Sequence, residues 1–195
     1  MALLSEESVK TRRWSRAEYE RLIDLGMFQP GERLELLDGL LVLREPQNSP
    51  HAATVTQAGH VVEAAFGPGW HARIQAPVAL DDNSEPEPDV AIVPGVPRDY
   101  LDCHPARPVL VVEVADSSLR FDRRQKSRLY ARAGLAEYWI VNIVDHALEV
   151  YREPERETDE CEDWTYRSVE SLRPPAMVTP LAAPHARIAV ADLLP

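Results

Sequence analysis

The chain is short of cysteine, of positive charge and of long apolar runs, and each shortage removes a class of protein. It has two cysteines, Cys103 and Cys161, in polar surroundings without metal-type spacing. That excludes a disulfide framework and a cysteine zinc site, and fits reduced thiols in a cytoplasm. No stretch approaches the roughly 20 apolar residues of a membrane helix. The start, Met-Ala-Leu-Leu-Ser-Glu-Glu-Ser, lacks the basic-then-apolar pattern of a secretory leader. A cytoplasmic protein with no membrane partner is therefore expected. Lys and Arg total 21 against 32 Asp and Glu, a net charge of −11. Proteins that grip nucleic acid through its phosphates usually carry a basic excess, so any such grip here has to come from a local patch.

What remains is ordinary globular material: 195 residues, 45% hydrophobic and 27% charged, with no internal repeat or low-complexity segment. That length supports one domain with a substantial core. We expect an N-terminal tail over residues 1–13 and a single domain over 14–195.

The most informative stretch runs from Val109 to Asn142 and reads as strand, helix, strand. Val109–Ala115 is nearly all apolar, the pattern of a strand buried on both faces. Glu113 interrupts it, and an unpaired charge there would cost several kcal/mol, on the order of a buried-ion penalty. A cation, a metal or a proton must compensate it. On the following helix Arg120, Arg124, Arg128 and Arg132 form one basic stripe, the densest positive patch in the chain. Lys126 lies roughly 200° around from Arg124 and Arg128, with Leu129, Tyr130 and Ala133 on the face that covers the sheet. Its ammonium is either an ion-pair partner of Glu113 or a catalytic one.

Other signals place the remaining elements. Trp14–Gly26 reads as a helix with a Ser15/Glu18 capping box and an apolar face of Tyr19, Leu22 and Ile23. Asp38-Gly39, flanked by apolar residues over 33–43, predicts a hairpin with Glu35 on its first strand. A helix is expected from Ser49-Pro50 to Phe66, stopped by Gly67, with His51 as a surface or capping residue. Trp70–Leu80 reads as a strand by alternation, and Pro88–Val93 as another with Asp89 at its start. One helical turn is expected near Tyr100. His146–Arg152 and Trp164–Val169 read as short strands, with the acidic run from Glu153 to Asp163 as a solvated loop between them. A final strand and helical turn are expected over 187–194.

Glu35, Asp89, Glu113 and Lys126 thus make a possible site. Clustered carboxylates repel unless a cation sits among them. A few hard oxygen ligands suit magnesium, with manganese as the alternative. Such an ion polarises a phosphoryl oxygen, and a nearby lysine steadies the attacking water. These are the parts of a phosphodiester hydrolase, each weak alone.

Pro88-Asp89, followed 24 residues later by Glu113 in an apolar strand, resembles the signature of the PD-(D/E)XK nuclease superfamily. The usual third position is residue 115, which is Ala115 here. Lys126 lies where one branch carries a lysine moved onto the next helix. The chain resembles that branch, the Uma-two family of restriction-endonuclease-like proteins. The likeness spans about Trp14 to Pro195 and rests on Arg33–Gly39, Ser49-Pro50-His51, Pro88–Ala91, Leu110–Val114, Lys126, Tyr130–Gly134 and Glu137–Val141. It implies an α/β fold of the mixed α+β type, a restriction-endonuclease-like mixed sheet flanked by helices. It implies Asp89, Glu113 and Val114 as metal ligands, with Glu35, Asp89, Glu113 and Lys126 as the catalytic set. Mg2+ is the implied cofactor, and DNA the implied partner of a chain able to pair as a homodimer. Two alternatives stay open: a silent nucleic-acid-binding or structural protein of the same fold, and a hydrolase of RNA or another phosphodiester.

Overall fold

The computed structural model describes residues 11–44, 46–158 and 161–195. The expected tail over 1–13 lies mostly outside these residues, as does the side chain of Cys161; Cys103 is a free, exposed thiol. Helix α1 (Arg16–Asp24) starts on Ser15, whose side chain and that of Glu18 complete the expected capping box. Only Tyr19 of its apolar face is buried; Ile23 is 48% exposed. Strands β1 (Leu34–Leu37) and β2 (Leu40–Leu43) form the hairpin, paired Leu37 to Leu40. Asp38 and Gly39 both take positive φ, 51° and 75°. Those angles give the two-residue turn the twist that the paired strands need.

Helix α2 (Ser49–Phe66) begins one residue earlier than read: Asn48 is its cap, accepting from the His51 amide, and Pro50 is inside the first turn. Gly67 ends it. Gly59 lets α2 lie against the sheet, because a Cβ there would come within 2.7 Å of Ile74 Cδ1.

Six strands make the central sheet, in the order β3 (Trp70–Ile74), β4 (Val90–Pro94), β5 (Leu110–Ala115), β6 (Glu137–Asn142), β7 (Ala147–Thr158), β8 (Cys161–Leu172). Only β5 and β6 run parallel. Their connection is the helical stretch α3 (Leu119–Phe121), a π turn (Asp122–Lys126) and α4 (Ser127–Arg132). A 3-10 turn at Pro97–Tyr100 precedes β5. The chain closes with the two-stranded pair β9 (Met177–Val178) and β10 (Ile188–Ala189) and a 3-10 turn over Val190–Leu193.

Alternation along β5 splits the core into two layers. Leu110, Val112 and Val114 face α2 and the C-terminal segment, while Val111 and Ala115 face Tyr130, Tyr138 and Ile140 on the other side. By the same period of two, Glu113 faces the second layer, the one that α4 covers. Tyr138 and Trp139 are fully buried core residues.

Two expectations fail. The strand read over Trp70–Leu80 ends at Ile74, because Gln75 turns into the left-handed region at φ 49°. The acidic run is not a loop between short strands. Its described residues, 153–158 and 161–163, belong to β7 and β8, each 12 residues long, with register running to the Thr158–Cys161 pair. Acidic residues on an exposed two-stranded ribbon keep water on both sides, so their charge does not prevent the strand.

Candidate active site

β5, the π turn and the segment between β2 and α2 enclose a cavity of about 350 Å3, walled in part by Glu35, Arg44, His51, Asp89, Glu113 and Lys126. Asp89 stands one residue before β4 and Glu113 in the middle of β5. The two strands are antiparallel neighbours. Their carboxylates tie the backbones crosswise: the Asp89 amide donates to Glu113 Oε2 at 3.3 Å, and the Val114 amide to Asp89 Oδ2 at 2.9 Å. Glu35 faces inward from β1, its Oε2 accepting from the Glu87 amide at 3.0 Å.

One helix face, spanning the π turn, brings two ionisable groups to the sheet. Asp122 and Lys126, four apart, are both buried, while Arg120, Arg124, Arg128 and Arg132 point outward. Lys126 Nζ lies 2.9 Å from Glu113 Oε1 and 3.6 Å from Glu35 Oε1. Tyr130 donates to the same Glu113 oxygen at 2.8 Å. Asp122 accepts from Ser118 Oγ at 2.6 Å. The structure therefore brings Glu35, Asp89, Glu113 and Lys126 to one cavity, with Val114 in its wall.

The charges in the cavity do not balance. Glu35, Asp89, Glu113, Asp116 and Asp122 line it together with two permanent cations, Lys126 and Arg44. Burial pushes the Glu113 carboxyl up to about 7; Lys126 opposes the rise, and Asp89, Asp122 and Glu35 add to it. Burial likewise raises Asp122 to about 6, against the pull of Lys126. Burial works against the charge of Lys126, but the carboxylates of Glu113, Glu35, Asp122 and Asp89 outweigh it and hold the ammonium protonated. With all five acids ionised, the two cations leave an excess of three negative charges, which favours a bound divalent ion.

The donors suit such an ion. Asp89, Glu113 and the Val114 carbonyl offer only oxygens, the preference of magnesium and manganese. Among the described residues no three His, Cys, Asp or Glu side chains group so as to hold a metal. The implied set needs only two side chains, because its third donor is main chain.

Two cavity residues escaped the reading of the sequence. His51, expected at the surface, is largely buried; its Nε2 lies 2.7 Å from the Val114 carbonyl and 3.6 Å from Asp89 Oδ2, and its Nδ1 has no hydrogen-bond partner. Its signal was its position on the helix face of Val55, Gly59 and Val62. Arg44, just past β2, reaches Glu87 Oε2 at 3.1 Å and Asp89 Oδ1 at 3.4 Å. Nothing in the local sequence marked it. The arginine stripe is a weaker positive patch than its spacing promised. Arg128 pairs with Asp163 at 3.2 Å, and Arg132 with Asp81 at 2.8 Å and with Asp38.

Comparison with known proteins adds a family and a fold. A family model described as "Putative restriction endonuclease" (Uma2) matches residues 16–191. No curated protein matches the chain. Among solved structures, the chain is similar to a "putative nuclease belonging to DUF820" from Anabaena variabilis, with a TM-score of 0.66 and 17% identity over 92% of this chain and 96% of that one. At that identity the likeness is one of fold. No helix among the described residues is long and apolar enough to cross a membrane.

Proposed function

Because the chain belongs to the Uma2 family described as "Putative restriction endonuclease", we propose that it is a divalent-metal-dependent endonuclease that hydrolyses phosphodiester bonds, with DNA as substrate. Family membership supports a nuclease, and nucleases of this kind generally use divalent metals. The observation that carries the reading is the Lys126 ammonium, 2.9 Å from Glu113 and 3.6 Å from Glu35 in the cavity that Asp89 lines.

In this reading Asp89, Glu113 and the Val114 carbonyl hold Mg2+, with Mn2+ as the alternative. When bound, the ion supplies Lewis acidity toward a phosphoryl oxygen and toward a water. Lys126 is protonated, so it does not take the water's proton. It donates a hydrogen bond that orients the water and offsets charge growing on the phosphorus-bound oxygens. Glu35 keeps the ammonium turned toward the cavity, and Tyr130 fixes Glu113 from behind. Cutting both strands of a duplex with one site per chain favours a homodimer.

The test is nicking of supercoiled plasmid, with single-stranded DNA and RNA alongside, in magnesium, manganese or chelator. Metal-dependent nicking is expected, reduced about 10³-fold in Lys126→Ala, equal to ~4 kcal/mol of barrier. Nicking that survives both Lys126→Ala and Glu113→Ala removes these residues from the mechanism. A silent binding protein is the second reading, favoured by Ala115 and by the contact of Arg44 with Asp89. It requires that no divalent ion bind in a calorimetric titration while nucleic acid still binds with a steep salt dependence.

A further inference from the structure

We propose that Arg44 is a substrate-phosphate clamp that rests on Asp89 and Glu87 in the metal-free protein and turns to a phosphodiester oxygen once a divalent ion takes Asp89. The inference rests on the nuclease reading and goes beyond it, because that reading gives Arg44 no part in the reaction. The backbone of Arg44 is fixed: its amide donates to the Arg33 carbonyl at 2.8 Å, continuing the β1–β2 ladder. Its side chain, 11% exposed, turns into the cavity. Of the residues lining that cavity, only Arg44 and Lys126 carry permanent positive charge.

Lys126 is committed, with Glu113 and Glu35 both close to its one ammonium. Arg44 is held differently. Its two terminal nitrogens go to two different carboxylates, at 3.1 Å to Glu87 and 3.4 Å to Asp89, and neither contact is the parallel two-bond pairing that a guanidinium makes with a single carboxylate or phosphate. Asp89 Oδ1 has other donors, Gln75 at 3.1 Å and Gln47 at 3.5 Å, so it is not stranded when Arg44 leaves. Glu87 keeps Arg33, 3.8 Å away.

Charge supplies the reason to move. Before an ion binds, Arg44 relieves the crowd of acids around Asp89. A divalent ion held by Asp89 and Glu113 would repel the guanidinium that rests on Asp89. An incoming phosphodiester is an anion entering a cavity walled by five carboxylates, and a released planar fork on that wall matches two of its oxygens. The residue would therefore compete with the metal and cooperate with the substrate. A purely structural arginine has no cause to do both.

Arg44→Gln and Arg44→Lys separate these roles. Calorimetric titration with Mn2+, in the absence of DNA, should show Arg44→Gln binding the ion at least threefold more tightly than the parent. Fluorescence anisotropy of a short duplex in calcium, with the samples checked for intact DNA, should show at least a fivefold loss of affinity in Arg44→Gln. Arg44→Lys, which keeps the charge without the fork, should fall between. Thermal melts establish that each variant is folded; if Arg44→Gln is not, Arg44→Lys carries the test. Unchanged or weaker Mn2+ binding overturns the proposal, as does unchanged duplex affinity. The Mn2+ titration reads competition at Asp89 whether or not the protein cuts, so failure of the nuclease reading and failure of this inference are distinguishable.

Discussion

Glu113 and Glu149 lie in one row of the sheet, on β5 and β7, each paired in register with Ile140 of the strand between them. Both are buried, at 2% and 4% exposure, and both accept from a tyrosine and a basic side chain. Glu149 takes Arg123 through Nε at 3.0 Å and Nη2 at 2.6 Å, Asn142 at 2.8 Å and Tyr151 at 2.9 Å. Burial works to raise its pKa, but the hydrogen bonds from Arg123, Asn142 and Tyr151 outweigh it, and the carboxyl sits below its ordinary value of 4.5. Glu113 has comparable donors, yet burial and three neighbouring acids push it the other way. The difference is not in the number of hydrogen bonds but first in how deeply the carboxyl is buried and then in the acids around it. A balanced buried acid holds the fold together; an unbalanced one is available to an ion.

The sharpest break in that comparison is functional. Lys126→Ala should lose nicking about 10³-fold, whereas Glu149→Gln should keep nicking within about threefold of the parent, because it lies outside the cavity. On stability the order reverses. Glu149→Gln should cost about 2 kcal/mol, since it breaks the two-bond pairing of Arg123 with a buried carboxylate and leaves that guanidinium with Asp145, 3.7 Å away. Urea unfolding in chelator would measure this. A loss no greater than for Glu113→Gln would end the distinction between the two acids.

Glu113→Gln should be within about 1 kcal/mol of the parent in chelator, on the stabilising side, because it removes one charge from an overcrowded site. It should also lose the rise in melting temperature that Mg2+ gives the parent.

The smallest effects are in pH dependence, and their signs are opposite. In chelator, Glu113 binds its proton more tightly folded than unfolded, so its contribution falls as pH rises from about 4.5 to about 7 and is flat above that. Glu149 binds its proton less tightly folded. Its contribution is full above 4.5 and is lost as pH falls through its depressed pKa. Melting curves from about pH 2.5 to 8 should lose the neutral-side slope in Glu113→Gln and part of the acid-side slope in Glu149→Gln. The same slope change in both variants would contradict the assignment.

Much of this could be read along the chain. The Asp38-Gly39 turn, the Ser15 cap, the buried β5 run and the inward face of Lys126 all follow from spacing or from single-residue backbone preferences. The chain's only lysines are Lys10 and Lys126; every other basic residue is arginine. The one lysine on the helix between β5 and β6 is the one beneath the acids. The failures share a cause. Gln75 ends β3 although alternation continues through Leu80, because alternation shows which face a residue takes but not where pairing stops. The β7–β8 ribbon was hidden because its length is set by cross-strand partners, not by local polarity.

Periodicity determined, from sequence alone, that Glu113 and Lys126 lie on buried faces, and turn chemistry that Glu35 lies on the first strand of a hairpin. Tertiary structure alone decided that they share a cavity, that Arg44 and His51 join them, and that Glu113 is left in excess negative charge while Glu149, in the same row, is not. The physical reason is range. A side chain's direction is set by backbone angles within a few residues, whereas the charge around it is a sum over segments that only folding brings within a few ångströms.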